Sequence, residues 1–300
     1  MDRETLVERA QKLVPFLRER APRCDELGRL PDETREALRD SGIARILQPQ
    51  AYGGAESHLS GMVEILNTVG SGCGSTAWCL AQYIGHNFMV AQWPHEAQEE
   101  IWGRDPKSLV AGILIPHLGE VTAQDGGYRI RGQWPFVSGV RNCDWLILSG
   151  LVDRPGAEPE ERYFLVRQGD FEILDTWDSL GLRGSGSHDV RVDGLYVPAH
   201  RTLPIAHLKG GESPGRARHR GVLYRSPSYM TFGILISSAS VGMAEGIVRD
   251  YLEHARTRVA LMSGQAHLDQ PTQHIRLSKA TMCVDAAKAV LHRNCDEIMQ

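Results

Sequence analysis

The chain lacks the short motifs that assign a chemistry at first sight. Its 300 residues contain no HExxH, P-loop lysine or EF-hand pattern, and the one GxSxG match, GESPG at residues 211–215, lies in a Gly- and Arg-rich stretch and does not follow a strand pattern, so neither metal catalysis nor a nucleophile elbow has support. The six cysteines form no CxxC pair and no zinc-spaced set with histidine. We therefore expect no metal and buried free thiols of the kind found in a reducing cytosol.

The chain also lacks an excess of positive charge and an apolar N-terminal run of the kind that signal peptides contain. Its 33 lysines and arginines face 37 aspartates and glutamates, for a net charge of −4, which implies no surface for nucleic acid. The N-terminal stretch MDRETLVERAQKLVPFLRER is amphipathic and charged, and no later run reads as long enough to span a membrane. We predict a cytoplasmic protein that binds neither nucleic acid nor membrane.

Helical and strand patterns occupy separate parts of the chain. Residues 1–107 follow a helical period, and residues 108–205 are short β-branched and aromatic runs between Gly, Asp and Pro turns, which predicts an antiparallel sandwich or barrel. Residues 206–229 are interpreted as a linker or solvated loop, and helix returns over 230–300. Because strands and helices do not alternate, the pattern indicates an α+β multi-domain protein and argues against a doubly wound α/β fold.

The C-terminal part has two helical runs, and small residues line one side of the first. The pattern continues to Gln300 without a cap or a breaker. Two helices are fewer than a stable bundle needs, so we expect an incomplete helical bundle in a truncated chain.

Two glycine-rich stretches have more than one interpretation. GSGCGS, at residues 70–75, lies between helices and lacks the GxGxxG spacing, so close helix packing is favoured over a phosphate loop. GLRGSGSHD, at residues 181–189, is either a loop over a site or a hairpin loop.

One histidine stands apart from the others. His86 lies in YIGHN, inside a very apolar helix, where a lone histidine is usually a satisfied core residue. The alternative is a histidine that faces a cavity, with Trp78, Tyr83 and Asn87 one or two turns away on its wall. Other histidines, including His219, are interpreted as surface residues.

The stretch GQWPFVSG, at residues 132–139, places large aromatics beside a hydroxyl. Trp134, Phe136 and Ser138 alternate, which predicts that they share one face of a strand. A flat ring would pack on the aromatics and accept a hydrogen bond from the serine, although packing in a sheet core is the more common reason for such a pattern.

Taken together, these motifs resemble the acyl-CoA dehydrogenase fold, which has an N-terminal helical domain, a middle β domain and a C-terminal helical bundle. The closer resemblance is to its flavin-dependent monooxygenases, the oxygenase components of two-component aromatic hydroxylases such as secosteroid phenol hydroxylase and p-hydroxyphenylacetate 3-hydroxylase. The segments that carry it are RLPDETREALRDSGIARILQPQAYGG, CGSTAW, IGHN, AQEEIWG, GQWPFVSG and CDW.

The resemblance implies a flavin site around the segment GQWPFVSG, at residues 132–139. Ser138 matches the hydroxyl that hydrogen-bonds flavin N5 and stabilises a flavin C4a-hydroperoxide. Trp134 and Phe136 would line the ring, with backbone groups of Val137 and Gly139 nearby.

The resemblance also assigns substrate and phosphate contacts. His86 would face the phenol with a near-neutral pKa and share its proton, and the substrate wall would include Trp78, Tyr83 and Asn87. Arg256 and Arg258 would meet the flavin phosphate, the alternative being surface ion pairs.

The implied activity is hydroxylation of a phenolic substrate with O2 and reduced FMN or FAD. A separate NAD(P)H-dependent flavin reductase would deliver the flavin to a homotetramer. The alternatives are an acyl-CoA dehydrogenase with bound FAD, N- or S-oxygenation, and a truncated or degenerate scaffold. Leu114, Ile115 and Pro116 replace a polar stretch of the dehydrogenases, which weakens the dehydrogenase alternative.

Overall fold

The computed structural model describes residues 2–210, 212–259, 264 and 266–300. Helices come first and last, and strands lie between them, as the sequence pattern predicts. The α-helices of the described residues are α1 Arg3–Leu27, α2 Asp32–Ser41, α3 Leu59–Gly70, α4 Gly74–Val90, α5 His95–Gln98, α6 Pro214–Arg218, α7 Ser228–Thr257 and α8 Pro271–Ile298. The strands are β1 Val110–Gly112, β2 Gly119–Gln124, β3 Gly127–Val137, β4 Trp145–Val152, β5 Glu160–Arg167, β6 Glu172–Leu174, β7 His188–Pro198 and β8 Thr202–Pro204.

Local chemistry sets the ends of the first helix. The Asp2 side chain accepts a hydrogen bond from the backbone N–H of Thr5 at 2.8 Å, which satisfies one of the unpaired donors at the start of α1. Gly28 ends the helix with φ +60°, a conformation that glycine adopts without steric cost. The sequence alone is therefore enough to place these boundaries.

The eight strands form one mixed sheet. Its order is β6-β7-β3-β2-β4-β5-β8, with β1 added against β4. Most neighbours are antiparallel, but β1 and β2 each run parallel to β4, so the prediction of a purely antiparallel domain was wrong. The reason is topological. The hairpin partner β3 takes one edge of β2, and the chain then crosses to the other edge, where β4 runs in the same direction as β2.

Helices α3 and α7 approach so closely that glycines are needed at their contact. A Cβ atom added at Gly242 would lie 2.4 Å from the carbonyl oxygen of Asn67, and one added at Gly70 would lie 2.9 Å from that of Ala239. The predictions of a small-residue side on α7 and of close helix packing by GSGCGS are confirmed, and the two features are parts of one contact.

Helix α7 is also long and apolar enough, by length and composition, to cross a membrane, so the expectation that no segment qualifies was wrong. A core helix of a soluble protein passes the same test. Within this fold α7 packs on α3 and α4 through buried residues such as Leu235 and Ala239, so its apolar character has a packing explanation.

Residues 206–229 are not the solvated linker that their composition predicts. They contain α6, and the backbone at Gly215 comes so close to α4's end that an added Cβ would overlap the carbonyl oxygen of Ala91. The Ser213 hydroxyl donates to Gln92 Oε1 at 2.6 Å, and His219, expected on the surface, is only 7 % exposed. Tertiary hydrogen bonds have overridden a local pattern rich in Gly, Arg and Pro.

All six cysteines are free, as expected, and five of them are buried. Cys283 is the exception, since it lies on the exposed face of α8.

The α3–α7 contact predicts opposite effects for two substitutions on one helix. Gly242→Ala should destabilise the fold by about 1–3 kcal/mol because the added methyl meets a backbone carbonyl. Gly233→Ala, where an added Cβ has no atom within 4 Å, should stabilise it by up to about 1 kcal/mol through helix propensity. Urea denaturation followed by circular dichroism measures both. Equal midpoints would show that the close contact does not need glycine.

Candidate functional site

The end of β3 departs from a regular strand. The pairing of β3 with β7 shifts register between Trp134 and Val137, and Phe136 has φ +60°, a conformation that costs energy for a residue other than glycine. Trp134 is buried, with its indole N–H donating to the carbonyl of Ser149 at 2.9 Å, whereas Phe136 is 64 % exposed.

The prediction that Trp134, Phe136 and Ser138 share one strand face was therefore wrong. A β-bulge inserts a residue and re-aims the side chains that follow it, so Trp134 belongs to the sheet core and Phe136 turns outward. Ser138 follows the buried Val137 just after the strand ends and is 9 % exposed.

A chain of hydroxyl groups extends from Ser138 into the protein. The indole N–H of Trp78 donates to Ser138 Oγ at 2.9 Å, Ser138 Oγ lies 2.9 Å from Ser187 Oγ, and Ser187 Oγ lies 2.7 Å from Ser185 Oγ. Because an indole N–H can only donate, Ser138 accepts from Trp78 and keeps its own proton to donate. Its acceptor is either Ser187 or an atom of a bound molecule.

Sequence reasoning missed Ser185 and Ser187. The available signal was their place in the glycine-rich segment 181–189, for which a loop over a site was one of two open interpretations. The structure gives this segment a 3-10 turn at Arg183–Ser185 followed by β7, and its serines join the Ser138 network.

Phe136 faces a second aromatic that sequence reasoning also missed. The rings of Phe136 and Trp177 meet edge to face, with centroids 6.3 Å apart. Trp177 is held at both ends, since its backbone N–H donates to His188 Nδ1 at 3.2 Å and its indole N–H donates to the Leu182 carbonyl at 3.3 Å. An exposed aromatic surface therefore lies beside a serine hydroxyl with a proton to donate.

Tyr83 fixes the loop that follows Ser138. Its buried hydroxyl donates to the carbonyl of Gly139 at 2.9 Å, and burial holds the pKa of Tyr83 well above its usual range. Gly139 has φ +73°, and a Cβ added there would lie 2.4 Å from the tyrosine oxygen. Tyr83 therefore connects α4 to this loop, and its hydroxyl is already engaged by the backbone.

His86 is buried without a hydrogen-bond partner of good geometry. Both ring nitrogens lack one among the described residues, and the residue is 1 % exposed. The ring lies between Gly112, where an added Cβ would be 2.5 Å from Nε2, and Phe232, whose ring centroid is 5.0 Å away. The backbone carbonyl of Gln82, one turn earlier on α4, is close enough to act on the pKa of His86 but does not reach good hydrogen-bond geometry, so the ring keeps capacity for a further partner.

Burial also lowers the pKa of His86 to about 3, because the charged imidazolium is disfavoured away from water. The expected near-neutral pKa was therefore wrong, and the ring is neutral at pH 7. An unsatisfied buried polar group costs about 1–3 kcal/mol, a cost that a ligand hydroxyl reaching His86 would offset.

The remaining predicted site residues lie apart from this cluster or face other groups. Asn87 is buried and donates to the carbonyl of Ser108 at 3.4 Å. Arg256 and Arg258 are exposed at the C-terminal end of α7, and Arg256 is thirteen residues beyond Met243, or roughly 20 Å along the axis. Met243 lies beside Gly74 at the start of α4, so the structure does not place these arginines near Ser138.

Across the described ranges 2–210, 212–259, 264 and 266–300, no group of three or more His, Cys, Asp or Glu side chains is arranged to hold a metal ion. The polar groups that meet at Ser138 are hydroxyl and indole groups.

The buried, neutral His86 predicts a pH dependence of stability. As the pH falls below 6.5, His86 becomes protonated in the unfolded chain, whereas in the folded chain its pKa is about 3. Between these two pH values the folded state therefore loses stability as the pH falls. Between pH 7 and pH 5, the free energy of unfolding of the native chain should fall by about 2 kcal/mol more than that of the His86→Leu variant. Denaturant titrations at both pH values measure this, with His117→Leu, an exposed histidine, as control. Equal losses in all three proteins would contradict it.

Comparisons with known proteins agree with this architecture. Residues 234–300 match the family model "Acyl-CoA dehydrogenase, C-terminal domain". The chain is 34 % identical over 290 residues to the flavin-dependent monooxygenase, oxygenase subunit HsaA, of Rhodococcus jostii (strain RHA1), covering 96 % of this chain and 75 % of that protein. It is 31 % identical to the oxygenase component of the FADH(2)-dependent resorcinol hydroxylase of Rhizobium sp. (strain MTP-10005), covering 96 % and 72 %.

The structural comparison gives the same result. The crystal structure of the HsaA monooxygenase from M. tuberculosis superposes with a TM-score of 0.92 at 33 % identity, covering 99 % of this chain and 76 % of that chain. With identity above 30 % over nearly the whole chain, the chain belongs to the flavin-dependent monooxygenases of the acyl-CoA dehydrogenase fold, as an oxygenase component.

Proposed function

We propose that this chain takes up reduced flavin against the Ser138 face and hydroxylates a phenolic aromatic compound with O2. The observation that carries the proposal is the Ser138 hydroxyl, set by the Trp78 indole N–H at 2.9 Å, beside the outward-turned Phe136. Support for a phenolic substrate comes from the resorcinol hydroxylase among the relatives. The alternative activity of an acyl-CoA dehydrogenase is not favoured by these relatives.

The residues around Ser138 fit a flavin ring. A flavin is flat and apolar on its faces and has ring nitrogens along one edge, and Phe136 and Trp177 offer aromatic surface next to a hydroxyl donor. Bound reduced flavin would supply the electrons that activate O2. The strained φ of Phe136 holds its ring out of the sheet, the kind of backbone cost that recurs at ligand sites.

The Ser138 proton is the group that this chain contributes at the ring edge. Trp78 occupies one lone pair of Ser138 Oγ, so the hydroxyl proton points away from the indole. Ser187, itself backed by Ser185, is able to receive that proton when no ligand is present. When flavin binds, the Ser138 hydroxyl would donate to a flavin nitrogen in place of Ser187, and Ser187 would keep its hydrogen bond with Ser185.

His86 has a different role from the one that its sequence context implies. With a pKa of about 3, it cannot hold the phenol proton at neutral pH. We assign it as a neutral hydrogen-bond partner that orients the phenol hydroxyl, held in place by Gly112 and Phe232. Tyr83 and Gly139 act through the loop that carries Ser138 and position that hydroxyl.

The supply and assembly of the enzyme complete the proposal. An oxygenase component works with a separate NAD(P)H-dependent flavin reductase, which would deliver FMN or FAD in reduced form, in a cytoplasmic homotetramer. Arg256 and Arg258, exposed at the end of α7, would meet the flavin phosphate of a neighbouring subunit, since they are far from Ser138 in their own chain.

Oxygen incorporation tests the activity. The chain, a flavin reductase, NADH and FMN or FAD are incubated with a panel of phenols under 18O2, and products are analysed by mass spectrometry. We expect one 18O atom in a hydroxylated phenol, and only hydrogen peroxide when the phenol is omitted. Reduction of a dye by acyl-CoA, with no labelled phenol in any reaction, would instead assign the dehydrogenase activity.

Removal of the Ser138 hydroxyl should uncouple flavin oxidation from hydroxylation. Ser138→Ala is expected to raise the hydrogen peroxide released per product by about 5–10-fold, the effect of losing one hydrogen bond of about 1–1.5 kcal/mol. Ser138→Thr keeps the hydroxyl and should keep most of the coupling. Ser179→Ala, in the neighbouring loop, is the control. An unchanged ratio in Ser138→Ala would remove Ser138 from the flavin site.

A further inference from the structure

A second cleft lies at the far end of α4 from Ser138. It has a volume of about 500 Å³ and is lined by residues that include Glu212, Ser213, Arg216, His219, Arg220 and Arg225. Trp78 and Val90 are twelve residues apart on α4, or roughly 18 Å along its axis, and the cleft begins beyond Val90, where Gly215 packs on Ala91. The cleft is therefore separate from the face that holds Ser138.

The walls of this cleft are fixed by hydrogen bonds to the rest of the fold. The Gln92 amide N–H donates to the carbonyl of Tyr224 at 3.2 Å, and the Tyr224 hydroxyl donates to the carbonyl of Leu47 at 3.1 Å. Arg216 donates to the carbonyls of Tyr224 at 2.9 Å and Arg225 at 2.7 Å. The cleft therefore exists before any ligand binds, which reduces the ordering cost of binding.

The cleft is positive within a chain of net charge −4. Three arginines and one glutamate line it. In the part of the chain that the structure describes, neither Arg220 nor Arg225 forms an ion pair with a carboxylate, although the structure contains many such pairs elsewhere. Arg225 donates to the carbonyl of Arg220 at 3.3 Å, and the remaining donors of the two exposed guanidinium groups have the planar arrangement that matches phosphate or carboxylate.

The buried His219 adds a hydrogen-bond acceptor, and its neighbours determine which ring nitrogen that is. The Gln98 amide nitrogen donates to the carbonyls of Trp93 and Ala91, so its oxygen Oε1 accepts from His219 Nε2 at 2.7 Å. The Nδ1 atom is then the bare acceptor of the neutral ring, and no described residue donates to it. Burial, with Arg218 nearby, lowers the pKa of His219 to about 4, which keeps the ring neutral at pH 7.

We propose that this cleft binds a phosphorylated nucleoside, with the phosphate at Arg220 and Arg225 and a ribose hydroxyl or base amine donating to His219 Nδ1. Such a ligand combines an anion with a hydrogen-bond donor. It also has the size of ligands held in clefts of 300–1,000 Å³, whereas a bare phosphate would leave His219 without a partner. The five-carbon ribityl chain of FMN is too short to reach here from Ser138. The AMP phosphate of FAD is joined directly to the FMN phosphate and would reach little further, so the nucleotide is separate from the flavin.

Isothermal titration with AMP tests the site on the intact chain. AMP should bind with an affinity that falls as salt rises, and adenosine, which lacks the phosphate, should bind at least 10-fold more weakly. Arg220→Gln with Arg225→Gln should weaken AMP at least 10-fold, whereas Arg104→Gln, an exposed arginine outside the cleft, should not. His219→Phe should weaken AMP while leaving the salt dependence unchanged.

Competition with flavin tests whether the nucleotide site is separate from the flavin site. Neither reduced FMN nor reduced FAD should displace AMP, and displacement by reduced FAD would overturn the proposal by assigning the cleft to the flavin cofactor. Equal binding of AMP and adenosine by the native chain would overturn the proposal without recourse to any variant. So would AMP binding that survives the double arginine substitution, or a preference for a hydroxyaryl carboxylate such as 4-hydroxybenzoate over AMP.

Discussion

The burial of α4 is the constraint on which the rest of the structure depends. This helix is apolar around most of its surface and contacts the sheet, α3 and α7 at once. Its polar side chains consequently have to meet groups from other elements. Trp78 meets Ser138, Tyr83 meets Gly139 and His86 lies between Gly112 and Phe232. One buried helix thereby fixes the positions of the loop after β3, the first strand and the start of α7.

The polar groups at these contacts differ in how many of their hydrogen bonds are made. Fully bonded groups support the fold, and groups with a free donor or acceptor are able to bind a ligand. The Tyr83 hydroxyl is fully engaged by a backbone carbonyl, so it serves the shape of the loop. Ser138 has an acceptor role already filled and a proton to donate. Among the described residues, His86 has no hydrogen-bond partner of good geometry at either ring nitrogen. Since an unmade buried hydrogen bond is costly, the proposed function uses these two groups, with the Ser138 proton offered to a flavin and His86 to a phenol.

Two neighbouring contacts also depend on backbones that approach each other closely. Helix α7 reaches α3 because Gly242 leaves room for a carbonyl, and the segment around α6 docks on the end of α4 because Gly215 does. The first contact carries Phe232 to His86, and the second builds the arginine-lined cleft. Glycines that look like loop or linker composition in the sequence thus act as contact residues, since their missing Cβ atoms allow distances that other residues forbid.

The sequence by itself determined what depends on near neighbours. These features are the helical N- and C-terminal parts with strands between them, the cap at Asp2, the buried character of α4 and the small-residue side of α7. Only the tertiary structure decided the bulge that turns Phe136 outward, the parallel pairings of β4, the serine chain from Ser138 to Ser185, the low pKa of His86 and the docking of residues 206–229. Each of these depends on groups far apart in the chain, such as Ser138 with Ser187, and no local period or spacing records which distant groups will meet.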